Sequence, residues 1–181
     1  EFGELADTDE AFSLLREPKF KELLTGIDIA RLEHEDTKYK ALKRVLSERG
    51  KVIVFSYYRR SLEYLNERLA DDAIRCRMIH GGVASTPGEP MTDERLRRIN
   101  EFRDDPSIQV LLSSEVGSEG LDFQFCDTVI NWDLPWNPMV VEQRIGRIDR
   151  IGQKSDAILA INLVGEGTVE QRILSRLYER V

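Results

Sequence analysis

KVIVFSYYRRSLEYLNERLA (51–70) changes its hydrophobic period once, and that change decides the fold class. KVIVFS (51–56) is short, apolar, β-branched and bounded, which predicts a strand buried on both faces. SLEYLNERLA (61–70) then takes up helical spacing. The same alternation extends in both directions. Upstream, TKYKALKRVLSERG (37–50) carries Tyr39, Leu42, Val45 and Leu46 at helical spacing, with Gly50 as a stop. Downstream, RCRMIH (75–80) reads as a strand ending at Gly81-Gly82, and VASTPGEPMT (83–92) as a loop. DERLRRINEFR (93–103) is helical, with Leu96, Ile99 and Phe102 on one side, and IQVLLS (108–113) is the most apolar strand candidate. DTVINW (127–132) predicts a strand, 138–150 a helix, AILAINLV (157–164) a strand and TVEQRILSRLYERV (168–181) a last helix.

Strands and helices in alternation predict an α/β fold, a mainly parallel sheet with helices on both faces. Ligands of such sheets sit at the carboxyl ends of the strands. Those ends are Ser56-Tyr57-Tyr58, His80-Gly81-Gly82, Ser113-Ser114 and Trp132-Asp133. Residues 1–35 form a separate, polar and partly helical extension or linker, in which Pro18 interrupts Phe12, Leu15, Phe20, Leu23 and Leu24. The expected division is therefore 1–35, a main domain over 36–165, and a helix over 166–181.

Composition narrows the function. The 181 residues are 41% apolar and 33% charged, with a formal net charge of -7. That balance argues against a polyanion binder driven by bulk charge, so any nucleic-acid surface must be a local patch. No apolar run approaches the roughly 18–20 residues of a membrane span, and the acidic start does not read as a signal peptide. Cys76 and Cys126 are isolated, which excludes a Cys-x-x-Cys zinc site and predicts reduced thiols inside a cell.

The chemistry concentrates in EQRIGRIDRIGQ (142–153). Asn137 suits an N-cap, Pro138 the first helical position and Gly152 a stop. At about 100° per residue, with Gln143 at zero, Arg147 falls near 40° and Arg150 near −20°. Val141, Ile145 and Ile148 fall on the opposite side, and Arg144 lies between the two faces at about 100°. Gly146 in mid-helix would cost about 0.5–1 kcal/mol relative to alanine, which suggests a close approach by a ligand. Arginine throughout supplies the planar fork that suits phosphate. A solvated basic face is the plain alternative. No G-x-x-x-x-G-K-S/T phosphate loop accompanies these arginines, and Asp9-Glu10-Ala11 follows no apolar strand that would make it a metal box. The arginines thus read as half of a site whose phosphate cradle lies on another domain.

Four segments in order carry a family resemblance. KVIVFSYYRRSLEYL (51–65) resembles motif IV of superfamily 2 helicases. MIHGG with DERLRRINEF resembles the unit that follows it, VLLSSEVGSEGLDF (110–123) motif V, and NWDLPWNPMVVEQRIGRIDRIGQ (131–153) motif VI with its lead-in. The D-R-I-G-Q ending is similar to Swi/Snf-type DNA translocases, especially the bacterial branch with the RNA-polymerase-associated ATPase. Over residues 37–165 the resemblance implies the C-terminal RecA-like lobe. It implies that Arg147 and Arg150 are arginine fingers and that Gln143 faces the nucleotide. Gly120 and Asp122 would lie beside the ribose or the lobe interface. Ser113, Ser114, Arg59, Gly81 and Arg95 would lie near the nucleic-acid backbone. ATP and Mg²⁺ would be held by an N-terminal lobe of the same protein. The partners implied are double-stranded DNA and RNA polymerase or another DNA-bound protein, with no membrane and a cytoplasmic or nucleoid location. An RNA helicase lobe, or a non-enzymatic binding module on the same scaffold, stays open.

The residues themselves leave other readings. Glycines after a strand are commonly turns. Arg59-Arg60 could be helix-start surface, and Arg95 could pair with Asp93 or Glu94. Tyr57 and Tyr58 are expected beside the sheet rather than on a base, and His80 as a strand-end hydrogen bonder.

Overall fold

The computed structural model describes residues 36–83, 93–118, 120–135, 137–165 and 171. The expectations for 1–35, for the 84–92 loop and for all of 166–181 except Gln171 lie outside the described residues. The chain divides into Glu1–Thr37 and Lys38–Val181, and the sheet belongs to the second unit.

The elements run α1 (Thr37–Glu48), β1 (Val52–Phe55), α2 (Arg59–Asp71), β2 (Arg75–Ile79), α3 (Glu94–Asp104), β3 (Ile108–Ser113), α4 (Glu115–Ser118), β4 (Thr128–Asn131), α5 (Pro138–Ile145) and β5 (Leu159–Asn162). The five strands form one sheet in the order β2-β3-β1-β4-β5. Every pairing is parallel, with Val54 opposite Leu112 on one side and Ile130 on the other. β1 is central and buried at all four positions, as its unbroken apolar run requires. From β1 the chain crosses to β2, returns through β3 and then passes over β1 to β4. The order therefore reverses around β1, and this reversal is where open α/β sheets form a crevice.

Side chains alternate between two apolar layers. Val52, Val54, Val110, Leu112 and Ile130 face α1 (Tyr39, Leu42, Leu46) and α2 (Leu62, Leu65, Leu69). Ile53, Phe55, Leu111 and Val129 face Ile99 and Phe102 of α3, together with Phe123 and Ile148. Burying each large side chain contributes about 1.5–3 kcal/mol, enough to hold the sheet without covalent ties. Both cysteines are free thiols, and burial pushes Cys126 up to about 11.

The strand entry end of the sheet is tied by side chains that bind helix-end carbonyls. Lys51 Nζ donates to Phe102 O, to Asp105 O at 2.8 Å and to Ile108 O at 3.1 Å, closing α3 onto β3. Burial lowers the Lys51 pKa against the pull of Asp105. Gln109 Nε2 donates to Leu46 O at 2.6 Å and Arg49 O at 2.9 Å, closing α1. Tyr39 Oη donates to Arg68 O at 2.8 Å near the end of α2.

Asp93 proves to be the N-cap of α3 rather than its first residue, accepting from the backbone N–H of Arg95 and Leu96. Asn137 caps α5 as expected, accepting from Met139 N at 3.1 Å. Asn137→Ala should therefore lower thermal stability by about 1 kcal/mol, read as a shift in the unfolding midpoint. The expected 138–150 helix is corrected. α5 stops at Ile145, and Gly146 is its C-cap rather than a mid-helix residue. The chain continues in tight turns, with Gly146 N bonded to Glu142 O at 2.8 Å and Asp149 N to Ile145 O at 2.9 Å. A Cβ on Gly146 would meet only carbonyls of its own helix, so the ligand-approach argument for this glycine has no support inside the lobe.

Candidate nucleotide and nucleic-acid surfaces

The arginine segment meets the loop after α4. Arg150 Nη1 forms an ion pair with Asp122 Oδ1, the two side chains being 52% and 42% exposed. Arg147 Nη1 donates to Leu121 O at 3.3 Å, and its own carbonyl accepts from Phe123 N at 2.8 Å. Residues separated by more than twenty positions thus share one surface: Gly120, Leu121 and Asp122 beside Arg147 and Arg150. Gly120 has φ +74° and open space at its Cα, a conformation that disfavours a side chain. Gln143 is exposed on α5. The sidedness expected from helical phase survives the early end of α5, because the following turns keep helix-like bonds. Ile148 is buried while Arg150 is exposed. An open cleft of about 600 Å³ adjoins this surface, between Leu96, Ile99, Asn100 and Arg103 of α3, the 120–125 loop and Gly152–Ser155.

Arg144 is the residue that phase arithmetic misplaced. It does not lie at a boundary between two faces but is buried, 1% exposed. Its Nε is ion-paired with Glu115 of α4, and its Nη1 donates to Asn131 Oδ1 at 2.8 Å and Asp133 O at 3.2 Å. The guanidinium lies 5.4 Å from the centre of the Phe55 ring. Asp133 extends the network, since its carboxylate accepts from Ser56 Oγ and from Tyr57 N at 2.9 Å. The reversal in strand order around β1 is therefore filled by a charged network rather than left open. Sequence spacing gave no sign of it, apart from the presence of Ser56 and Asp133 at strand ends.

The candidates for nucleic-acid contact divide. Arg59 opens α2 with its side chain 62% exposed and held by Glu63 at 2.8 Å. Gly81 is exposed and lies against Val116 of α4, where an added Cβ would come 3.0 Å from Cγ1. His80 Nδ1 accepts from Gly82 N at 3.0 Å, the role expected of it. Burial, then Arg59 and Arg98, lower the His80 pKa while Glu63 opposes them, which favours the neutral ring that this bond requires. Ser113 and Ser114 reach the same end of the sheet, Ser114 N donating to Ile79 O at 3.1 Å. Their hydroxyls are engaged within the lobe. Ser113 is fully buried and donates to Ser114 O, and Ser114 Oγ accepts from Gly117 N at 3.1 Å. Arg95, 18% exposed and 3.9 Å from Asp93, is far less available than Arg59. Tyr57 and Tyr58 are half-exposed and meet edge to face, not packed beside the sheet as expected. Asp133 draws the Tyr57 N–H inward while the ring stays outside. Among the described residues no three His, Cys, Asp or Glu side chains are grouped to hold a metal, and no helix is long and apolar enough to cross a membrane.

Comparison with known proteins bears on the family and the fold. Residues 37–152 match the family described as "Helicase conserved C-terminal domain". The uncharacterized ATP-dependent helicase YqhH of Bacillus subtilis is 43% identical over 131 residues, covering 72% of this chain and 22% of that protein. The RNA polymerase-associated protein RapA of Proteus mirabilis is 41% identical over 117 residues, covering 64% and 11%. RapA of Vibrio cholerae is 35% identical over 141 residues, covering 76% and 14%. The chain thus spans less than a quarter of the length of these relatives. In structure it resembles the C-terminal part of the Fun30 ATPase domain, with a TM-score of 0.69, 23% identity, and coverage of 78% of this chain and 45% of that one. The fold is RecA-like, and the chain belongs to the helicase conserved C-terminal domain family.

Proposed function

We propose that this chain is the second motor lobe of an ATP-dependent double-stranded DNA translocase, and that it supplies Arg147 and Arg150 to ATP bound on a first lobe. The observation that carries the proposal is the meeting of Arg147 with Leu121, and of Arg150 with Asp122, on one surface next to Gly120 in the chain. Two guanidiniums on a lobe that lacks a phosphate loop fit charge stabilisation across an interlobe cleft. Their present partners are weak enough to exchange: one carbonyl at 3.3 Å, and one carboxylate in a solvent-screened pair. When the lobes close, both guanidiniums leave these partners for the γ-phosphate. Gln143 lines the same cleft, and Asp122 and Gly120 border the nucleotide. Mg²⁺ is assigned to the first lobe.

Duplex DNA is proposed to rest on the other side of the strand ends, against Arg59, Gly81 and the first turn of α4. Ser113 and Ser114 shape that turn from within rather than offering hydroxyls to phosphate, and Arg95 lies at the margin. Hydrolysis changes the lobe spacing, which advances the DNA. The relatives named RNA polymerase-associated make RNA polymerase the proposed target, in the cytoplasm.

The test has two parts. This chain alone is expected to hydrolyse ATP no faster than a buffer blank, with or without DNA. The full-length protein is expected to hydrolyse ATP and to be stimulated by duplex DNA. Turnover by the isolated lobe would overturn the half-site reading. An inactive full-length protein would favour a binding module, and stimulation by RNA alone would favour an RNA helicase lobe.

A further inference from the structure

Arg144 has no part in the finger chemistry, yet it is the largest fully buried side chain among the described residues. A charge so placed needs partners, and removing one costs far more than the pair contributes. Its partners come from separate elements. Glu115 belongs to α4, Asn131 to β4 and Asp133 to the loop after β4, and Phe55 of β1 lies beneath the guanidinium. Asn131 Nδ2 also donates to Asn162 Oδ1 at 2.7 Å, bringing in β5. The Arg144 carbonyl in turn accepts from Arg147 N at 3.3 Å, so the same residue supports the first turn of the finger segment.

α4 is gripped equally firmly on its other side. Gly117 packs so closely that a Cβ would lie 2.6 Å from Ile79 O and 2.8 Å from His80 Cα. Val116 touches Gly81. Any displacement of α4 therefore moves against the end of β2 on one side and pulls on Arg144 through Glu115 on the other. Glu115 is 30% exposed, so it can shift, and Arg144 Nη2 finds no acceptor among the described residues. A buried pair with one loose partner and one spare donor is suited to two arrangements rather than one.

We propose that Arg144 is a positioning residue that, through Glu115, couples occupancy of the nucleic-acid side of α4 to the placement of Arg147 and Arg150. The inference rests on the motor-lobe reading and adds a route by which DNA would regulate the fingers. The Glu115–Arg144 ion pair is the link. Contact on α4 resets it, and the reset is passed along α5 to the finger turn without either residue touching DNA or nucleotide.

Glu115→Gln in the full-length protein tests this, because it keeps the shape and a hydrogen-bonding oxygen but removes the charge from a partly exposed side chain. At saturating duplex DNA, the stimulation of kcat over the DNA-free rate is expected to fall by about fivefold or more. KM for ATP is expected to stay within about twofold, since nucleotide binding is not the coupled step. Glu115→Asp, which keeps the charge, should retain more of the stimulation than Glu115→Gln. A merely structural role would instead lower the thermal midpoint and depress the stimulated and unstimulated rates together. A stimulated wild type with an equally stimulated Glu115→Gln overturns the coupling alone. A wild type that duplex DNA does not stimulate overturns the DNA reading and the coupling with it.

Discussion

Full-length protein carrying Arg147→Ala is expected to turn over ATP about 10³-fold more slowly, or worse, the scale on which arginine fingers act in phosphoryl transfer. ATP affinity, measured with a fluorescent nucleotide, should change little. On the proposed function, the guanidinium would contribute where charge develops during transfer, while the phosphates would be bound in the ground state by another lobe. The folded lobe should also tolerate the change, because its Arg147 side chain makes one long bond to Leu121 O. The backbone bond from Phe123 N to Arg147 O does not need the side chain. Arg150→Ala should behave alike in turnover. It also releases Asp122 from its ion pair, at a stability cost within about 0–1 kcal/mol for so exposed a pair. Retained turnover in Arg147→Ala would remove the finger assignment. Lost ATP binding in the same variant would assign it to ground-state binding instead.

Gly117→Val should be the most damaging single change to the strand-end architecture. A Cβ at this position would stand 2.6 Å from Ile79 O and 2.7 Å from Ile79 C, and those are backbone atoms that no rotamer change can move aside. Overpacking of this kind costs about 1–3 kcal/mol, and valine, with two further methyls, should fall at the top of that range. The relief available is for α4 to withdraw from the end of β2. Withdrawal would disturb Ser114 N bonded to Ile79 O and the Glu115–Arg144 pair together. Gly50→Ala is the control. Its Cβ would meet nothing within 4 Å, so the thermal midpoint should hardly move. Equal midpoints for the two variants would mean that α4 is not packed as described.

The fold was readable in the sequence where the signal is local. β1 and β3 are continuous apolar runs because both faces of each are covered, and their limits came within a residue of the strands observed. Asn137-Pro138 marked the start of α5 because capping depends on adjacent residues. The end of α5 was missed because Gly146 was weighed as a costly interior residue, when it lies where the helix was already closing. The surface that carries Arg147 and Arg150 was half legible. Periodicity separated Arg147 and Arg150 from Ile148, but it could not see that Asp122 waits 28 residues upstream for Arg150. Arg144 was illegible for the same reason in stronger form. Its acceptors lie 29, 13 and 11 residues away, and a burial that depends on them has no trace in local spacing. Ser113 and Ser114 were placed at the right strand end, yet which way a hydroxyl turns depends on α4, four residues that begin only after them.

The ties at the strand entry end bear on how such a lobe could do mechanical work. Lys51 and Gln109 close α3 and α1 onto the sheet through carbonyls that would otherwise be open to water. They lie at the opposite end of the sheet from α4 and from the Glu115, Asn131 and Asp133 partners of Arg144. Each bond is worth only about 1 kcal/mol net, but together they oppose fraying of the helix ends they hold. On the proposed function, the lobe would act as a lever with a stiff handle and a responsive tip. On the same proposal, amide hydrogens at the Lys51 and Gln109 edge should exchange slowly and alike in every nucleotide state, while those at 114–118 should report the cycle.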